Sequence, residues 1–222
     1  MLQAIEVGFD VLAEQFAVGL DVAALGEMGI GNTTAASAIT AALTGLPPAA
    51  VTGRGTGVDD AALARKVGVV ERALAINHPD PTDPLDVLTK IGGLEIAGLV
   101  GVTLGAAARR VPVIVDGFIA GAAALVAAEL CPQVRDYLIA AHVSAEVGHR
   151  AILGHLGLRP LLDLDLRLGE GSGAALVLPL VEAAARLLDE MATFAEAGVI
   201  TQAEGAPSPA THVTHAQPRG CR

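Results

Sequence analysis

The stretch Gly26-Glu27-Met28-Gly29-Ile30-Gly31-Asn32-Thr33-Thr34 constrains this chain more than any other. An apolar run over residues 20–25 leads into it and reads as a buried strand, while an Ala-rich run over residues 35–43 leads out and reads as a helix. Strand, glycine turn and helix start then follow one another within a few residues. Glycines leave nothing to keep a ligand from the backbone, and Asn32, Thr33 and Thr34 are helix-capping types. Free N–H groups at a helix start, with the positive end of its dipole, favour a phosphate. The spacing lacks the Gly-Lys-Ser/Thr of a Walker loop and departs from the dinucleotide fingerprint. Two readings stand at this point: a phosphate cradle over residues 29–34, or a tight turn that binds nothing.

A chain of 222 residues can bury one good core. Its hydrophobic fraction is 52%, but aromatic residues make up only 2%, so the core must be built from Ala, Val, Leu and Ile on closely packed elements. The formal charge of −10, from 14 basic and 24 acidic residues, argues against a nucleic-acid or membrane surface. A local phosphate site is still open to it, because backbone N–H groups can supply the field. Cys131 and Cys221 predict no structural disulfide and fit a reducing compartment. Residues 1–19 carry Glu6, Asp10 and Glu14 without a basic residue, unlike a signal peptide. The longest apolar run, over residues 117–128, is too short to span a bilayer. A soluble, cytoplasmic protein is expected.

Ile5, Phe9, Leu12 and Phe16 recur at helical spacing and predict a helix over residues 2–17. A helix over residues 33–44 should stop at Gly45. Residues 53–57 form a second glycine-rich turn carrying Arg54 and Thr56, and Asp59-Asp60 start a helix to about Asn77 with Lys66 on it. A plain N-capped helix and a second wall of an anion site, with charge from Arg54 or Lys66, are both compatible with that pattern. Asp83 should cap a short helix to Lys90, and a helix over residues 94–108 should close on Arg109-Arg110.

Residues 111–115 read as a strand buried on both faces, with Asp116-Gly117 at its carboxyl end before a helix over residues 118–130. Ligands of open α/β sheets bind beyond the carboxyl ends of strands, so Asp116 can touch a ribose or base, or can merely cap the helix. Residues 137–142 predict another strand, ending in the polar group His142, Ser144 and Glu146, ahead of a helix over residues 151–157. His142, His149 and His155 match no usual zinc spacing and are expected to be satisfied or solvated. Residues 161–168 alternate Leu with Asp163, Asp165 and Arg167, which predicts a strand whose aspartates pair with Arg167. A third glycine turn brackets Glu170 between Gly169 and Gly171, before a long helix over residues 174–196. A carboxylate there can cap the helix, or, if groups such as Leu168 desolvate it, can serve as a general base. From residue 200 the composition turns to Gly, Pro, Ser, Thr, Gln and His, which predicts a disordered tail over residues 200–222; His212 and His215 are too few there to imply a metal. Strands alternating with helices predict an α/β domain over residues 1–199, with a mainly parallel sheet flanked by helices in a Rossmann-like three-layer arrangement.

The full string at residues 26–34 resembles the signature of the nicotinate-nucleotide–dimethylbenzimidazole phosphoribosyltransferases, and residues 53–60, 115–119 and 167–174 resemble further stretches of that family in its order. The resemblance covers the chain from near its start to about Val199, with 25 residues ahead of Gly26 where a typical member has a long N-terminal part. It implies transfer of phosphoribose from nicotinate mononucleotide to 5,6-dimethylbenzimidazole, giving α-ribazole 5′-phosphate and nicotinate, with no metal or redox cofactor. It further implies Glu170 as catalytic base; the charge that builds on the sugar as nicotinate leaves calls for a second carboxylate, Glu27 or Asp116. The substrate-binding residues it implies are Gly29, Ile30, Gly31, Asn32, Thr33 and Thr34 on the first turn, Gly53, Arg54, Gly55, Thr56 and Lys66 on the second wall, and Asp116, Gly117, Gly169 and Gly171. A homodimer, or a complex with a chain supplying the N-terminal region, is the expected assembly. The alternative function is a non-catalytic relative that binds a nucleotide phosphate.

Overall fold

A computed structural model describes residues 1–55 and 57–199. The expected tail and Thr56 lie outside the described residues. Two compact units divide the chain, Met1–Leu180 and Val181–Arg222. The first unit contains a three-stranded parallel sheet in the order β1 (Ala23–Ala24), β2 (Val113–Val115) and β3 (Leu138–Ala140). Ala23 pairs with Val113, and Val113 in turn with Leu138. All three strands run the same way, so their carboxyl ends share one edge.

The strands are shorter than their apolar runs. Leu20 is only partly buried and Asp21 is exposed, so pairing in the first run begins at Ala23 and ends with Leu25 donating to Ile114 O. The expected strand over residues 161–168 reduces to a bridge between His142 and Leu162, with added backbone bonds from Val143 to Leu162 and from Ala145 to Leu166. Between those bonds Asp165 takes a left-handed conformation, φ 53, which interrupts a regular strand.

The helices of the first unit are α1 (Leu2–Val18), α2 (Asn32–Thr44), the short α3 (Pro48–Val51), α4 (Asp60–Asn77), α5 (Pro84–Ile91), α6 (Leu94–Ala108), α7 (Phe118–Leu130) and α8 (Val147–Leu156). Helix α2 stops on Gly45 in the left-handed region, while Asp59 and Asp83 cap α4 and α5 by accepting from Ala62 and from Leu85 and Asp86. Helix α8 starts four residues earlier than expected and includes His149. A last helix, α9 (Ser172–Glu190), is shorter than the apolar pattern suggested and contains Pro179.

Helix α7 is the hub of the core. Nearly every residue from Phe118 to Ala128 is buried, because Gly121 and a run of alanines let α2, α6 and α8 approach it from different sides. Ile39, Ile96, Ile114, Leu125 and Ile152 fill the spaces between. This is how a chain with so few aromatic residues reaches close packing. Helices α1 and α6 cross on glycines, since a side-chain carbon at Gly101 would stand 2.0 Å from Ile5 O. Among the described residues no helix is long and apolar enough to cross a membrane.

Candidate active site

Because the strands are parallel, the segments that follow them emerge together: residues 26–34 after β1, Asp116-Gly117 after β2, and residues 142–146 after β3. They line a cavity of about 310 Å³, closed further by Arg54, Gly55, Val58 and Lys66 of the second glycine turn and α4, and by Arg167, Leu168 and Gly169 of the third turn. All three glycine turns singled out in the sequence therefore converge. The cavity takes in Glu27, Gly29, Ile30, Gly31, Asn32, Thr33, Thr34, Arg54, Gly55, Lys66, Asp116, Gly117 and Gly169 of the expected site. Gly53 lies behind it, and its carbonyl accepts from Lys66 Nζ at 3.0 Å.

The first turn is built differently from its capping residue types. Gly31, φ 90, is the N-cap of α2, and no side chain caps the helix. Asn32 instead donates Nδ2 to the Glu27 carboxylate, and Thr33 Oγ1 accepts from Lys66 Nζ at 2.8 Å. The helix start consequently keeps backbone N–H groups uncommitted to a side-chain cap, as an anion site requires. Burial lowers the Lys66 pKa, opposed by the Glu146 charge. Burial raises that of Glu27, the bond from Asn32 opposes this, and the negative charges of Glu95, Asp116 and Glu170 add to the rise.

Asp116 caps a helix, but not the one that follows it. Its Oδ1 accepts from Ala174 N at 3.1 Å and its Oδ2 from Gly171 N at 3.2 Å, which ties the end of β2 to the first turn of α9. His142 Nε2 stands 3.5 Å from Asp116 Oδ1. Burial would raise the Asp116 carboxyl, yet the adjacent His142 imidazole and the bonds from the backbone of α9 outweigh it and leave the pKa low. For His142 burial pulls down, while the Asp116 carboxylate outweighs it and leaves the pKa raised. A side-chain carbon at Gly173 would lie 2.1 Å from His142 Cδ2, so only glycine lets α9 start this close.

The histidines depart from the expectation that they are satisfied or solvated. His142 is 2% exposed, and neither ring nitrogen has a well-aligned hydrogen-bond partner among the described residues. His149 accepts from Ser144 N through Nδ1, leaving Nε2 unpartnered among them, and burial takes its pKa to about 4. Only His155, against Glu129 at 3.0 Å, meets the expectation.

Glu170 lies at the rim. Its backbone N–H donates to Glu27 O at 3.2 Å, but its side chain is exposed and outside the cavity lining, and Leu168 does not bury it. Gly169, Glu170 and Gly171 all have positive φ, of 75, 59 and 76 respectively. A non-glycine residue held there costs on the order of 1 kcal/mol, and such strain concentrates at functional sites. Gly171 packs against Gly26, where a side-chain carbon would meet its nitrogen at 2.4 Å.

Two arginines behave unexpectedly. Arg54 turns to its own loop, donating to Val58 O and pairing with Asp60, rather than supplying free charge to the site. The ion pair expected between the aspartates and Arg167 does not form: Asp163 faces Arg150 at 3.8 Å, and Arg167 lines the cavity. Ser144, Glu146, Phe118 and Ile119 also line it and were absent from the expected site. The gathering of polar residues at the end of β3 was the signal for the first two; the two apolar ones were marked only by the family resemblance of residues 115–119, because a wall residue and a core residue look alike in apolar spacing.

The phosphoribosyltransferase family model matches residues 1–199. A nicotinate-nucleotide–dimethylbenzimidazole phosphoribosyltransferase of Chloroflexus aggregans is 63% identical over 202 residues, 91% of this chain and 57% of the relative. One from Geobacter sulfurreducens is 62% identical over 88% of this chain and 56% of its own length. The crystal structure of CobT from Thermus thermophilus superposes with a TM-score of 0.84 at 52% identity, over 89% of this chain and 59% of that one. The chain thus spans less than two thirds of the length of these relatives.

Proposed function

The chain belongs to the phosphoribosyltransferase family, and on that premise we propose that it moves phosphoribose from nicotinate mononucleotide to 5,6-dimethylbenzimidazole, the step that assembles the lower-ligand nucleotide of cobalamin. The observation that carries this reading is the convergence of three glycine turns, Glu27 and Lys66 on one cavity.

Each residue has a task in that chemistry. Backbone N–H groups over residues 29–34 and the Lys66 ammonium receive the 5′-phosphate, with Gly53, Arg54 and Gly55 forming the loop behind it. The bond from ribose C1 to the pyridine nitrogen breaks, and its electron pair stays on that nitrogen. Positive charge then builds on the sugar, and the Glu27 carboxylate stabilises it. One benzimidazole nitrogen bonds to C1, and the proton of the other passes to Glu170. Asp116, beside Gly117 on the cavity wall, holds the third turn through Gly171 N, and Gly171 packs against Gly26 of the first turn.

The reaction takes place in an assembly, either a homodimer or a complex with a further chain. Met28 at 84% exposure and Ile30 at 103%, apolar residues beside the cavity, support this. Incubation of the purified chain with both substrates, followed by chromatography for α-ribazole 5′-phosphate, tests the proposal. Product is expected; nucleotide binding without product, in the presence of a full-length family member's N-terminal portion as well as in its absence, would instead identify a binding protein.

A further inference from the structure

Three cationic side chains stand on the cavity wall, and two of them are engaged. Arg54 bonds Val58 O at 2.8 Å and pairs with Asp60. Lys66 bonds Thr33 and Gly53 beside the first turn. Arg167 has no hydrogen-bond or salt-bridge partner among the described residues, and the neighbouring Asp163 faces Arg150 instead. It is exposed, so its planar fork of five donors is open to a ligand.

Arg167 also belongs to a particular end of the cavity. Its turn abuts Glu27: a side-chain carbon at Gly169 would come 3.4 Å from Glu27 Oε1, and Glu170 N donates to Glu27 O. In the transfer reaction Glu27 marks the sugar's reacting carbon, and Lys66 marks the phosphate. The donor nucleotide carries a second anion beyond that carbon, the carboxylate of its pyridine ring. We infer that Arg167 binds this ring carboxylate and thereby selects nicotinate over nicotinamide nucleotides, an assignment that rests on the transfer reading above.

The charges give the selection its sign. Bound as a nucleotide, the nicotinate ring is a zwitterion, with a positive nitrogen and a negative carboxylate. The nicotinamide ring is a net cation, which a guanidinium repels. When the C1–N bond breaks and the pair stays on nitrogen, nicotinate becomes a net anion. The contact with Arg167 therefore strengthens as the ring departs, and an interaction that grows along the reaction raises turnover as well as affinity. A guanidinium–carboxylate fork is bidentate, which a lysine cannot reproduce.

Calorimetric titration of the wild-type chain, Arg167→Gln and Arg167→Lys with nicotinate mononucleotide, nicotinamide mononucleotide and inorganic phosphate tests the assignment. Wild type should prefer the nicotinate nucleotide by about ten- to a hundredfold, the range of a hydrogen-bonded charge. Arg167→Gln should lose that preference, Arg167→Lys should keep part of it, and phosphate binding should be unchanged in all three. Arg167 makes no contact that the fold relies on, so the variants should fold normally. Equal wild-type affinities, binding of neither nucleotide, or a preference that survives in Arg167→Gln would each overturn the assignment. Product formation is read separately: a preference that depends on Arg167 without any product would sink the transfer reading alone, whereas product with a preference indifferent to Arg167 would sink this one alone.

Discussion

Glu170 shows how much a single residue owes to its neighbours. Glycines on both sides allow three successive left-handed residues, which lift the carboxylate to the rim above Glu27. Glu170→Gln keeps the shape and removes the basicity. Turnover should fall about 100- to 10,000-fold, the usual contribution of a general base, with nucleotide affinity nearly intact. Unchanged steady-state turnover would exclude Glu170 from proton transfer. Lys66 makes a different prediction, about pH. Burial lowers its pKa, so the ammonium loses its charge at a lower pH than an ordinary lysine. Nucleotide affinity should weaken on the alkaline side earlier than titration of a normal lysine would allow. Lys66→Gln should bind weakly and lack that alkaline limb; a wild-type affinity flat to high pH would count against a phosphate role. Glu27 and Lys66, both singled out in the sequence, line the cavity. Residue type misled for Asn32 and Thr33, whose side chains bond Glu27 and Lys66 rather than cap the helix.

At the scale of elements, close approach decides more than propensity. Helix α1 lies so near α6 that a side-chain carbon at Gly8 would stand 2.0 Å from Gly98 O, and one at Gly101 would stand 2.0 Å from Ile5 O. A mid-helix glycine normally destabilises, so alanine at an open helical site would gain up to about 1 kcal/mol. Here the sign reverses. Gly101→Ala must push the helices apart, and overpacking of this kind costs about 1–3 kcal/mol. Urea denaturation should show a lower midpoint for Gly101→Ala; a higher one would refute the crossing. Helix identities were legible from apolar spacing for α1 and from the Asp59-Asp60 start for α4, and the stop of α2 from Gly45. The crossing was not, because periodicity reports which face is buried but not how near the partner comes.

For the molecule as a whole, buried histidines connect the site to acid stability. His149 titrates at about 4 in the fold against 6.5 when unfolded. As pH falls through that window the unfolded chain takes up a proton that the folded chain refuses, so the fold loses stability, by about 3 kcal/mol at 1.36 kcal/mol per pH unit. The raised pKa of His142 acts in the opposite sense, favouring the fold once pH drops below the ordinary histidine value. The two are separable by mutation: His149→Gln, which keeps an acceptor for Ser144 N, should flatten the fall in denaturation free energy between pH 6.5 and 4. A slope identical to wild type would show that His149 is not buried in solution. Assembly is the other property of the whole. With apolar Met28 and Ile30 exposed beside the cavity, light scattering should report a species larger than one chain; a clean monomer with full activity would contradict the proposed assembly.

Local pattern determined a good deal by itself: the alternation of strands and helices, the three glycine turns, and the carboxylates and lysine placed on or beside them. These are short-range properties, since turn chemistry and apolar period act within a few residues. Parallel strand order, by contrast, brings to one edge segments that lie far apart in the chain, and only that arrangement could show Asp116 capping a helix 55 residues away. The same holds for Arg167. Its sequence neighbours promised an ion pair, but Asp163 faces Arg150 of α8 and Arg167 lies on the cavity wall. Partners chosen through space depend on distances that no window of residues encodes.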